Sequence, residues 1–178
     1  MAPFLALAGV LVCQSLVGSK IDSRLVLDFG FPPQKINLAE RVANKKVPGY
    51  LEEEANLKAL GIDEVIIYCV NDGAVMEAWA KDQKVHESSF ISMMGDPSGA
   101  VTATLGMTLS HPGPMSVLGY PRCKRFAMYI ENGSIKIHKV SEKGPMGQED
   151  PAGDDFPEET LAPSMIAAIK ALSTKSEL

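Results

Sequence analysis

The chain is poor in the residues that build metal centres, disulfide frameworks and nucleic-acid surfaces. Its three cysteines, Cys13, Cys69 and Cys123, are set too far apart for a metal-ligand spacing or a disulfide framework. Three histidines, His86, His111 and His138, are equally scattered, so the sequence assembles no zinc or haem site. A net charge of −5 with no stripe of Lys and Arg excludes the electrostatic footprint of a nucleic-acid binder. The apolar run at residues 4–12 is too short to span a bilayer, which needs about 20 residues. No internal repeat is present, so a solenoid or an array is also excluded.

What is present fits one globular domain: 178 residues, 46% of them hydrophobic, suffice for a sizeable core. Residues 1–16 differ from the rest, with Leu, Ala and Val followed by the small residues Ser15, Gly18 and Ser19. That pattern suits a signal-peptide core, although no Lys or Arg precedes it. We therefore read residues 1–16 as a targeting segment and 17–178 as the folded domain. Entry into the secretory pathway or an organelle is expected, with the cytoplasm as the alternative. The ending Lys175-Ser176-Glu177-Leu178 resembles a retention tetrapeptide with one departure, though a chance helix end is the plainer reading.

Residues 23–31 read as a strand, Pro32-Pro33-Gln34 as a turn, and 36–38 as a second extended piece. Residues 51–60 read as a helix with Glu52, Glu53 and Glu54 at its positive end and Gly61 as its stop. The run EVIIYCV at 64–70 predicts a strand buried on both faces, as in a parallel sheet under helices. Asn71 or Asp72 then caps a helix over 74–81, with Val75, Met76 and Trp79 at helical spacing. Asp96-Pro97 predicts a cap and first-turn proline of a further helix that Gly106 closes. Residues 126–131 and 134–140 flank Asn132-Gly133, the pair that a type I′ hairpin turn demands. Residues 141–159 read as a loop, and Leu161, Met165, Ala168, Ile169 and Leu172 as a final amphipathic helix. The sum is an α/β domain.

Six stretches then stand in a telling order: Leu27-Asp28-Phe29-Gly30-Phe31, Ile36-Asn37-Leu38-Ala39-Glu40-Arg41, Val47-Pro48-Gly49-Tyr50, Val70-Asn71-Asp72, Asp96-Pro97-Ser98-Gly99 and Lys124-Arg125-Phe126. Together they resemble the type-5 (type II) peroxiredoxins. The resemblance implies a thioredoxin-like, three-layer α/β domain that reduces hydrogen peroxide and alkyl hydroperoxides through a cysteine sulfenic acid. It also implies glutathione, glutaredoxin or thioredoxin as reductant, a tendency to homodimerise, and no metal or organic cofactor. No nucleic-acid or membrane partner is implied.

The departure from the family is large. Between Lys46 and Val47 the family carries a hydrophobic strand and the loop P-x-x-x-[TS]-x-x-C, which holds the peroxidatic cysteine. Here Lys46 joins Val47 directly, and none of the three cysteines stands in such a motif. One central strand is thus expected to be missing, and peroxidase activity to be impaired or absent. A non-catalytic interaction or dimerisation protein, or a redox-sensing thiol protein, is the alternative. In the resembled fold the missing strand lies between the equivalents of 64–70 and 125–130. Its loss leaves two apolar strands without a shared partner, unless 25–29 slides between them or the two pair directly. Each unpaired buried backbone group costs about 1–3 kcal/mol, against a domain stability of about 5–15 kcal/mol.

Peroxide reduction needs a thiolate, held by a lowered pKa near a helix start or a cation. Arg125 matches the family arginine that polarises the peroxide, and Arg122 is the nearby alternative. Without the resemblance, each reads as a surface cation at a strand start. Cys69, inside EVIIYCV, reads first as a small buried hydrophobe whose thiol pKa burial raises. Cys123 lies between Arg122 and Lys124, cations that favour its thiolate if it is exposed. A resolving or glutathionylatable thiol fits there, and an inert loop cysteine is the plainer alternative. Cys13 falls in the presumed targeting segment.

Overall fold

The computed structural model describes residues 16–30, 32–38, 51–143, 146, 148–150 and 156–176. The Lys46–Val47 junction, Val47-Pro48-Gly49-Tyr50 and Cys13 lie outside the described residues. The domain opens with β1 (Val26–Phe29) and β2 (Gln34–Asn37), an antiparallel pair with Val26 opposite Asn37. Next come α1 (Glu54–Ala59), β3 (Val65–Cys69), α2 (Gly73–Asp82), β4 (Ile91–Gly95) and α3 (Ala100–Thr104). The rest is β5 (Thr108–Leu109), α4 (Pro112–Leu118), β6 (Arg122–Cys123), β7 (Phe126–Glu131), β8 (Ser134–Val140) and α5 (Ala162–Ser176).

The main sheet has the order β2-β1-β4-β3, with β3 parallel and β1 antiparallel to β4. Strands β7 and β8 form a second sheet, and β5 and β6 a short third one. The turn between β7 and β8 is the one expected: Asn132 and Gly133 both take positive φ, at 51° and 70°. Successive side chains of a strand point to opposite faces, and β7 uses both. Ala127 and Tyr129 enter a core with Leu57, Met76, Met165 and Ile169, beneath α1, α2 and α5. Met128 and Ile130 enter a second core with Leu27, Met94 and Val101, on the side of α3. The result is the three-layer α/β arrangement that the sequence predicts, with side-chain packing rather than a backbone ladder tying β7 to the main sheet.

Several local expectations are corrected. β3 is half-buried from Ile66 to Cys69 rather than buried on both faces. The reason is its place at the end of the sheet, where it pairs with β4 alone among the described strands. Neither rearrangement for filling a gap occurs among the described residues: β1 lies on the far side of β4, and no ladder joins β3 to β7. β4 has no counterpart in the sequence reading, because Met93, Met94 and Gly95 are weak strand signals. The helix after Asp96 begins at Ala100, not at Pro97. Residues 96–99 close a turn instead, and the buried Asp96 carboxylate reaches forward to accept from Val101 N at 3.3 Å and Thr102 N at 2.9 Å. On α2 the buried stripe is Gly73, Met76 and Ala80, which leaves Val75 and Trp79 exposed. On α5 it is Ala162, Met165, Ile166 and Ile169, while Leu161 and Leu172 face outward.

Residues 16–21 strap the front of the chain to the β7–β8 hairpin. Gly18 N donates to Ile135 O at 2.7 Å, Ile135 N to Ser19 O at 3.0 Å, and Ile21 N to Gly133 O at 3.0 Å. The Lys20 ammonium adds a bond to Asn132 O.

Candidate functional site

In an open α/β sheet, ligands and reactive groups collect outside the carboxyl ends of the parallel strands. Cys69 is the last residue of β3 and sits beside Gly95, the last residue of β4. The Cys69 carbonyl accepts from Asn71 N and from Asp96 N, both at 2.8 Å, which fixes the backbone at the thiol. The following loop folds tightly over β4: a Cβ placed on Gly95 would stand 2.4 Å from Asn71 O. Asp72 then caps α2 by accepting from Val75 N at 2.9 Å.

The second thiol arrives from β6, whose Cys123 lies opposite Thr108 of β5. Arg122 fastens this strand to the end of β3, its Nη1 donating to Val70 O at 3.1 Å and to Asn71 Oδ1 at 3.2 Å. Its guanidinium carbon also lies 4.3 Å from the centre of the Tyr120 ring. Two cysteines distant in sequence are thereby brought together. The two thiols act on each other's ionisation, and the Val70 amide acts on that of Cys123. Both thiols are free and half-buried.

The pair is electrostatically unequal. Cys69 does most to lower the Cys123 thiol, to about 7, with help from the Val70 amide and against burial and the Asp96 charge. Cys69 is pushed well above the usual thiol range, first by Cys123 and then by burial, while Arg122 opposes. Burial likewise raises the neighbouring Tyr68 phenol. The expected burial effect at Cys69 is therefore present, though it is not the largest cause. At Cys123 the condition set for the flanking cations, exposure, is not met: the thiol is half-buried, and Cys69 and the Val70 amide favour the thiolate. Lys124 is engaged by Glu142, and Arg122 is turned to Val70 and Asn71. The arginine that bridges the two thiol-bearing strands is Arg122; Arg125 is exposed just ahead of β7, its carbonyl accepting from Ser141 N.

Among the described residues no three His, Cys, Asp or Glu side chains are grouped to hold a metal ion, and no helix is long and apolar enough to cross a membrane. The Redoxin family model matches residues 41–155. Peroxiredoxin-2C of Oryza sativa subsp. japonica is 35% identical over 132 residues, 73% of this chain and 75% of that protein. The chain belongs to the redoxin family. This redoxin is also 32% identical over 102 residues to the chloroplastic Peroxiredoxin-2E of Arabidopsis thaliana, covering 57% of this chain and 42% of that protein. Among solved structures, reduced Prx3 from Vibrio vulnificus in complex with H2O2 superposes with a TM-score of 0.67 at 26% identity. That match covers 86% of this chain and 95% of the other. The redoxin thus has the thioredoxin-like peroxiredoxin fold, and thiol-dependent peroxide reduction is the chemistry of its family.

Proposed function

We propose that this redoxin is a peroxiredoxin of the type-5 kind whose peroxidase turnover is impaired, for want of the strand and loop that hold the peroxidatic cysteine. The observation that carries this is in the sequence. Lys46 is followed at once by Val47, and no cysteine has a proline seven residues and a Ser or Thr three residues before it. The end position of β3 in the main sheet and the separate β7–β8 sheet support the reading. Hydroperoxides are the substrate class, and thioredoxin, or glutathione with glutaredoxin, regenerates the thiol. A homodimer is the expected assembly. Arg125 keeps its place as the peroxide-polarising arginine without a nucleophile to serve. The apolar residues 1–16 and the chloroplastic relative support entry into an organelle or the secretory pathway.

The test is peroxide consumption by the purified chain with each reductant system, run beside the rice relative. Turnover at least about tenfold lower is expected, equivalent to about 1.4 kcal/mol of lost transition-state stabilisation. Turnover within that factor overturns the proposal. Sequencing the source transcript across the codons for Lys46 and Val47 tells whether the natural message carries the segment. An in-frame strand and P-x-x-x-[TS]-x-x-C there make the natural protein an intact peroxidase.

A further inference from the structure

We propose that Cys69 and Cys123 form a reversible dithiol–disulfide couple, opened to oxidation through Cys123 by a hydroperoxide and closed by Cys69. The geometry carries it. The two free thiols lie close enough to shift each other's ionisation, each held by a different strand end. Arg122 locks those strand ends together through Val70 and Asn71. The Val70 amide, just past the end of β3, favours negative charge on the Cys123 sulfur. Both side chains are half-buried, which admits a small peroxide.

The chemistry balances in two steps. The Cys123 thiolate attacks one peroxide oxygen, the O–O bond breaks, and the other oxygen leaves as an alcohol, or as water from hydrogen peroxide, after taking up a proton. Cys123 is now a sulfenic acid. The Cys69 sulfur then attacks the Cys123 sulfur, the S–O bond breaks, and hydroxide leaves as water with the proton that Cys69 gives up. Two thiols supply two electrons, one hydroperoxide accepts them, and the sulfurs close to about 2.0 Å. A dithiol reductant reverses the bond by exchange. The inequality of the two thiols sets the order of events, since Cys69 holds its proton until Cys123 has become electrophilic. The couple needs neither the P-x-x-x-[TS]-x-x-C loop nor turnover, so it goes beyond the peroxidase reading.

The deciding experiment treats the reduced full chain with one equivalent of hydrogen peroxide, blocks the remaining thiols, and maps peptides without reduction. A Cys69–Cys123 cross-link within one chain, reversed by dithiothreitol, is the expected result. Cys123 recovered as a sulfinic acid, cross-linked between chains, or still reduced beside a reduced Cys69 overturns the proposal. In Cys69→Ala, the Cys123 sulfenic acid is expected to persist and to be trapped by dimedone. If that variant does not fold, the map of the unaltered chain still decides. The coupled turnover assay and this map fail independently, so loss of one reading leaves the other standing.

Discussion

At the scale of single residues, the most consequential group is the Cys123 thiol, because reactivity belongs to the thiolate and not to the thiol. A lowered pKa means more thiolate at neutral pH. The rate of Cys123 alkylation by iodoacetamide should therefore rise with pH through a midpoint near 7, below the ordinary cysteine value of about 8.5. Cys69→Ala removes the neighbour that lowers it most, so the midpoint should move up. A midpoint that stays put shows that the Val70 amide is enough. The sequence disclosed half of this. EVIIYCV is enough to foresee that burial raises the Cys69 pKa, but not that the thiol is only half-buried or that Cys123 raises it more. It was silent at Cys123, where the visible neighbours Arg122 and Lys124 have other partners and the groups that act on the thiol, Cys69 and the Val70 amide, lie at and just past the end of β3.

At the scale of elements, the site depends on how closely the β3–α2 loop crosses the end of β4. Gly95→Ala places a methyl group 2.4 Å from a backbone oxygen that cannot swing aside, so the loop or the strand must move. Overpacking of this kind costs about 1–3 kcal/mol, to be read as a lower urea midpoint with an unchanged m-value. An unchanged midpoint shows that the loop yields without strain. Elements with local codes were legible: Asn132-Gly133 announces its hairpin, and Asp72 its helix. Those that depend on neighbours were not. β4 is made a strand by β1 and β3 on its two sides, and Asp96 caps α3 from across a turn that Gly99 closes in a left-handed conformation.

At the scale of the whole molecule, two sheets share two cores through the alternating side chains of β7. The fold class was legible because the order of strands, helices and hairpin survives in the sequence. The partnering of β3 was not, since periodicity does not show which edge of a strand is covered. If a strand belongs between β3 and β7, restoring it should repair function. Inserting a family strand and P-x-x-x-[TS]-x-x-C loop between Lys46 and Val47 should raise peroxide turnover at least about tenfold. Arg125→Ala in that background should lower turnover by about 10²-fold, the usual cost of removing one charge-stabilising donor. Rescue that persists in Arg125→Ala removes that arginine from the mechanism.

The strap at residues 16–21 also has a consequence in time. Its bonds are to Asn132, Gly133 and Ile135, and the Lys20–Asn132 contact spans 112 residues of chain. A ribosome adding about 5–20 residues per second needs on the order of 5–20 s to reach the acceptor after making the donor. Throughout that interval residues 16–21 lack the hairpin they close upon. Whatever machinery handles the nascent N-terminus meets it unlatched, and the latch shuts only once the hairpin has emerged.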